Sequence, residues 1–150
     1  MREIKFRGKN YGGIWLYGYL MPAEKPVINK GCKYRISVSP QACAGKDKMV
    51  YEVITDTIGQ FTGLRDKNGK EVYEGDILRG NEYPFNSDGV DNYFAEIVWG
   101  DNVCGFYRIT RKKPNSTVRG ISHGNFSELD DEDIKSFEVI GNIHDNPELL

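Results

Sequence analysis

Hydrophobic and polar residues alternate over short runs of this chain, which is the pattern of β-strands with one covered face. In Arg2–Lys9, Ile4 and Phe6 point one way and charged side chains the other. The run Ile14–Leu20 is apolar on both faces, which predicts a strand that is covered twice or lies in an interface. Further strands are predicted over Lys33–Val38, Met49–Thr55, Phe94–Trp99, Val103–Thr110 and Phe137–Ile143.

Turn residues separate these runs. Asn68-Gly69 lies between two apolar stretches and predicts a type I′ hairpin, because both central positions of that turn need positive φ. Gly75-Asp76 predicts a corner shortly afterwards. We interpret these four residues as structural, since such turns require Asn, Asp and Gly. The alternative is a pair of loops that shapes a ligand surface.

Short strands joined by glycine-rich turns, with no long helical period, predict a mainly β fold with little helix. We expect short strands and hairpins that form a small barrel-like, SH3-like unit, together with an N-terminal β subdomain. Single helical turns are predicted within Ser127–Lys135 and Pro147–Leu150. The chain is interpreted as one domain, 1–150, with a suggested subdivision into 1–48 and 49–150.

Composition and charge narrow the classes of function. The chain has 150 residues, of which 39% are hydrophobic, and this suffices for a core. Its 20 Lys and Arg nearly cancel its 22 Asp and Glu, which leaves a net charge of −2. This balance argues against a protein that binds duplex DNA by bulk charge, although a local basic patch stays open.

No apolar run approaches the roughly 20 residues of a spanning helix, and the N-terminus has no signal-peptide pattern. We therefore expect a cytoplasmic protein with no membrane partner. The three cysteines, Cys32, Cys43 and Cys104, lack CxxC spacing, so we interpret them as free thiols. No motif indicates a cofactor.

The run Thr57–Leu78 resembles the central signature of the YopX-like family of phage and prophage proteins. The start of the chain, Arg2–Gly8, is similar to the family's N-terminal strand, and Glu138–Leu149 to its C-terminal motif. Ile97-Val98-Trp99 lies where the family has a strand that ends in Trp. The resemblance implies a β-rich phage-type protein, with self-assembly expected and no assigned catalytic residue to carry over.

The one basic cluster in the sequence, beside Phe106 and Tyr107, comprises Arg108, Arg111, Lys112, Lys113 and Arg119. Cations beside aromatic rings can hold single-stranded nucleic acid, because bases stack on rings while cations follow phosphates. The simpler interpretation is a solvated loop that faces the acidic run Glu128–Asp133 of the same or another copy of the chain.

Trp15, Tyr17 and Tyr19 share one face of the second strand. Aromatic residues are enriched in interface cores, so these three are candidates for an oligomer interface. Ordinary core packing is the alternative for any one of them.

A third hypothesis is a metal-dependent enzyme that uses His123, His144 and nearby carboxylates. The chain has neither an HxH nor an HExxH motif, and its acidic run lacks the residue order of a calcium loop. We therefore expect no catalytic and no metal site. The first hypothesis is a non-enzymatic, homo-oligomeric phage accessory protein whose phage or host partner is unknown. The second is binding of single-stranded nucleic acid through residues 108–119.

Overall fold

The computed structural model of this chain describes residues 3–23, 32–38, 49–80, 93–100, 105–112, 126–128 and 131–150. Its strands are β1 (Phe6–Lys9), β2 (Trp15–Pro22), β3 (Tyr34–Ser37), β4 (Val50–Val53), β5 (Gly59–Arg65), β6 (Glu71–Tyr73), β7 (Asp76–Gly80), β8 (Tyr93–Gly100), β9 (Gly105–Lys112), β10 (Phe126–Glu128) and β11 (Phe137–Asn142). The helical segments within these ranges are 3₁₀ turns at Thr55–Thr57, Asp133–Ser136 and Pro147–Leu149.

The strands form two antiparallel sheets. The first sheet has the order β4-β3-β2-β1-β5-β6, and the second has the order β10-β9-β8-β7-β11. The mainly β fold that the sequence predicts is confirmed. The described strands form no closed barrel. In the second sheet, β10 and β11 remain as the two outer strands.

The chain divides into two compact units, Met1–Phe61 and Thr62–Leu150. Strand β4 belongs to the first unit because it pairs with β3 along its whole length, from Tyr34↔Val53 to Ser37↔Val50. The suggested subdivision at residues 48 and 49 stays a prediction about domains, as does the single domain 1–150.

In the first unit, strands β1 to β4 curl around a small apolar centre. The outer strand β4 returns to the end of β1, where Asn10 and Val53 form an isolated bridge and Ile54 N donates to Lys9 O at 2.9 Å. Ile36 and Val53 are fully buried, and both lie about 3 Å from the place where a side chain on Gly8 would begin.

The second unit has the larger core. Its buried members come from β6 to β9, the 3₁₀ turn before β11, and β11 itself: Val72, Leu78, Ala95, Ile97, Phe106, Ile134, Phe137 and Val139. Where one strand contributes two of them, they are alternate residues: Ala95 and Ile97 on β8, and Phe137 and Val139 on β11. This is the alternation expected of strands with one covered face.

The hairpin between β5 and β6 is one residue longer than a two-residue Asn-Gly turn. Gly69 N donates to Asp66 O, and Asp66 N donates to Lys70 O, so the loop comprises residues 67–69. Gly69 has φ +80°, the conformation that closes a three-residue loop. The predicted type I′ geometry centred on Asn68 and Gly69 is therefore wrong, because Asp66 supplies the turn's first carbonyl.

The corner at Gly75-Asp76 lies where the sequence places it. Gly75 has φ +79°, and a carboxylate oxygen of Asp76 accepts a hydrogen bond from Tyr73 N at 2.8 Å. Gly75 N also donates to Ile97 O, and Ile143 N donates to Gly75 O. This corner carries the chain from β6, in the first sheet, into β7, in the second.

Candidate functional site

One face of the β1–β2 pair carries cations on one strand and aromatic rings on the other. Its six residues, called here the aromatic–basic face, are Lys5, Arg7 and Lys9 beside Trp15, Tyr17 and Tyr19. Alternate residues of a strand share a face, and directly opposed residues of an antiparallel pair do too. The register pairs Arg7 with Tyr17 and Lys9 with Trp15, so both rows lie on the same side of the sheet.

The cations of this face lie against aromatic rings. The Arg7 guanidinium is 5.0 Å from the centroid of Trp15, and the Lys9 ammonium is 5.8 Å from it. The Lys5 ammonium lies 4.8 Å from the ring centroid of Phe61, on β5. A cation over a ring is attracted by the ring quadrupole, so these contacts fix Trp15 and orient the positive charges.

Exposure divides the face into a buried layer and an outer layer. Arg7 is 5% exposed, whereas Tyr17 and Tyr19 are 49% and 39% exposed. Lys5, Lys9 and Trp15 are half-buried. Tyr17 and Tyr19 are therefore the most exposed side chains on the face that also carries the three cations.

Gly18, between the two tyrosines, sits where β3 approaches closely. A Cβ at this position would collide with the carbonyl oxygen of Ser37, and the φ of Gly18 is +157°. A residue without a side chain is thus required between the two exposed rings.

One acid contacts a residue of the face, and another lies on the outer strand of the same sheet. Glu3 is 3.6 Å from the Lys5 ammonium, and Glu52, on the outer strand β4, is directly opposite Arg35 of β3. Lys5, just before β1, and Arg7 and Lys9, within it, are alternate residues and all three are cationic. The face can offer stacking and positive potential, and its six side chains include no carboxylate, thiol or imidazole for general base catalysis.

The predicted basic cluster is placed only in part by the structure. Arg108 lies in β9, half-buried, with its guanidinium 4.9 Å from the ring centroid of Phe137. Arg111 and Lys112 end the same strand, but their side chains lie outside the described part, as do Lys113 and Arg119 altogether. The nucleic-acid role of this cluster stays a prediction.

Of the histidines and cysteines, the structure describes only His144 and Cys32. His144 is half-buried and its backbone N donates to Asn142 Oδ1, while His123 lies outside the described residues. Cys32 is buried and its thiol lies 3.0 Å from Tyr34 O; Cys43 and Cys104 are outside. Among the residues that the structure describes, no group of three His, Cys, Asp or Glu could hold a metal ion.

Local sequence patterns predict the aromatic row of the face as a candidate site but not the basic row. The signal was present: Lys5, Arg7 and Lys9 alternate on the first strand as Trp15, Tyr17 and Tyr19 do on the second. Only the strand register shows that the two rows are neighbours on one surface.

A family model described as YopX protein matches residues 5–150 of this chain. The chain belongs to the YopX family. The match includes all six residues of the aromatic–basic face, so this face lies within the YopX region itself. It confirms the resemblance carried by the start, centre and end of the sequence.

Among solved structures, the chain is similar to the crystal structure of protein EF1440 from Enterococcus faecalis. The two are 27% identical, the match covers 100% of this chain and 99% of the other, and the TM-score is 0.49. No curated protein matches this YopX chain. In the described residues, no helical segment has the length and apolar character needed to cross a membrane.

Proposed function

We propose that this YopX chain is a non-enzymatic, phage-derived accessory protein that acts in the host cytoplasm by binding an anionic macromolecule through its aromatic–basic face. The observation that carries the proposal is the composition of the face. Tyr17 and Tyr19, which are 49% and 39% exposed, share one side of the sheet with three cations, one of which is only 5% exposed. Exposed aromatic residues on a charged surface are typical of binding sites.

The sign of the charge favours an anionic partner. Desolvated cations interact more strongly with an incoming anion than solvated ones, because the local dielectric constant is lower. Arg7 cannot reach a partner directly at its level of burial, so it contributes through its field. Lys5 and Lys9, which are half-buried, flank it and can contribute direct contacts.

Self-association is the second candidate, and the exposure of Tyr17 and Tyr19 favours it. A symmetric dimer uses the same patch on both copies. Such a dimer would place the Lys5–Lys9 row near its own copy, and like charges across an interface are unfavourable. A homo-oligomer through Trp15, Tyr17 and Tyr19 would therefore need an offset arrangement.

Heparin, a sulfated polyanion without aromatic groups, tests the charge component of the proposal. We expect calorimetric titration to detect heparin binding at low salt, and the double variant Lys5→Gln/Lys9→Gln to lose most of it. The matched control is Lys70→Gln/Lys135→Gln, which removes two exposed positive charges from the second unit. Equal losses in both variants, or no binding by the wild type, would contradict the proposal.

Light scattering on the same samples tests self-association. If the second candidate holds, the wild type is oligomeric and Tyr17→Ser/Tyr19→Ser shifts it towards the monomer. Tyr51→Ser, a change at another exposed tyrosine, should leave the mass unchanged. A monomer at all practical concentrations would remove the oligomer and leave the anion-binding proposal standing.

A further inference from the structure

We infer that the anionic partner is a single-stranded nucleic acid, with one base stacked on each of Tyr17 and Tyr19 and the adjoining phosphates near Lys5 and Lys9. This inference rests on the proposed function and names the partner of the same face. It also moves the nucleic-acid site away from residues 108–119, where the sequence analysis places it.

The spacing of the two tyrosines fits an extended strand. Alternate residues of a β-strand are about 6.8 Å apart. One strand of B-form DNA advances about 3.4 Å per nucleotide. A nucleic acid with one base on each tyrosine must be stretched to about twice that rise, so its bases no longer stack on one another.

A duplex cannot meet this requirement. Its bases are paired and stacked inside the helix, and their flat faces are not available to an exposed ring on a sheet surface. A single strand offers both faces of each base, and stacking on aromatic side chains is tolerant of sequence. The face therefore selects for single strands without selecting a particular sequence.

Trp15 has a different role from the two tyrosines. Arg7 and Lys9 both lie within 6 Å of its ring centroid, and its side chain is half-buried. It positions the cations beside the tyrosines and leaves stacking to Tyr17 and Tyr19, which are 49% and 39% exposed.

The small number of cations sets the salt dependence. For single strands, the logarithm of the binding constant falls with the logarithm of salt concentration by about 0.7 for each phosphate neutralised. With Lys5 and Lys9 as the two contacting cations, we expect a slope of about −1.4. This slope corresponds to binding about 25-fold weaker for a tenfold rise in salt.

Fluorescence anisotropy with a labelled oligothymidylate tests the inference. We expect the wild type to bind it, and to bind a duplex of the same length more weakly. Removing stacking with Tyr17→Ser/Tyr19→Ser should weaken oligothymidylate binding by about tenfold or more while leaving heparin binding nearly unchanged. Tyr51→Ser, at an exposed tyrosine of β4, is the matched control and should bind as the wild type does.

The outcomes separate this inference from the proposed function. Heparin binding without oligothymidylate binding, or equal affinity for duplex and single strand, overturns the inference and leaves an anionic partner. The inference is supported if the lysine variant binds neither heparin nor oligothymidylate while the tyrosine variant loses only oligothymidylate binding. Binding of neither ligand by the wild type overturns both, and an oligomer that disperses in the tyrosine variant then identifies self-association.

Discussion

The carboxylate of Asp66 ties the β5–β6 turn to the last strand of the second unit. One oxygen accepts hydrogen bonds from Asn68 N and Lys70 N at 2.8 and 2.9 Å, and the other accepts one from Val139 N at 2.9 Å. The residue is only 4% exposed. The sequence indicated the turn through Asn68-Gly69, but the contact with Val139 could not be predicted, because it joins positions far apart in the chain.

Replacing Asp66 with Asn should destabilise the protein strongly. An amide has one acceptor oxygen, so its NH₂ group would face a backbone N–H that has lost its acceptor. Leaving a buried donor unsatisfied and losing hydrogen bonds to a charged group should lower the free energy of unfolding by about 2 to 3 kcal/mol. Urea denaturation measures this change. Asp131→Asn, at an exposed position, is the control and should change stability by less than about 0.5 kcal/mol.

Gly80 leaves room for the ring of Phe137 on the neighbouring strand. A Cβ at Gly80 would lie 2.5 Å from Phe137 Cδ1, closer than real side-chain contacts. We expect Gly80→Ala to destabilise the protein by about 1 to 3 kcal/mol through overpacking. In a double-mutant cycle with Phe137→Leu, the two losses should be less than additive, since the smaller side chain relieves the clash. Strict additivity would show that the ring is not the cause.

At the scale of elements, local alternation was sufficient to locate most strands. The runs Lys33–Val38 and Phe137–Ile143 became β3 and β11 with boundaries shifted by only a residue or two. The helical turn predicted within Ser127–Lys135 lies at the C-terminal end of that range, at Asp133–Ser136. The start of the range cannot be helical, because Phe126–Glu128 pairs with β9 as a strand. Pairing with a strand distant in sequence determines the secondary structure of residues 126–128, and local propensity does not predict such pairing.

Glu138 links two elements through charge and gives the fold a pH dependence. It is opposite Arg79 in the β7–β11 pair and accepts a hydrogen bond from that residue's guanidinium; Lys67 Nζ lies 3.2 Å away. The hydrogen bonds from Arg79 and then Lys67 lower the pKa of the Glu138 carboxyl below its ordinary value of 4.5. The ionised form is thus favoured in the folded state.

The lowered pKa of Glu138 in the folded state determines how the stability of the protein changes with pH. The carboxylate stabilises the fold at pH above 4.5, and this contribution disappears as the pH falls through the lower folded-state pKa. We expect the urea midpoint of the wild type to exceed that of Glu138→Gln at neutral pH, with the difference shrinking in acid. The exposed Glu148→Gln is the control. A difference that stays constant from neutral pH into acid would contradict the assignment.

At the scale of the whole molecule, the sequence established the family and the mainly β class, since both depend on residues in linear order. The sheet order β4-β3-β2-β1-β5-β6 and the return of β4 to β1 depend on long-range pairing. The proposed binding surface likewise depends on long-range pairing. Its cationic and aromatic rows come from different strands and became one face only through the register of β1 and β2.

The net charge of −2 gives a whole-molecule expectation as well. We expect binding to depend on one local patch, because a chain with a net charge of −2 does not attract a polyanion through its overall charge. Neutralising Lys5 and Lys9 should therefore affect binding far more than neutralising an equal number of lysines elsewhere.

Amide chemical-shift mapping by NMR during titration with oligothymidylate would locate the binding surface residue by residue. We expect the largest shifts at residues 5–9 and 15–19, with Tyr17 and Tyr19 among them. Largest shifts at residues 105–119, or no localised shifts at saturating ligand, would contradict this expectation.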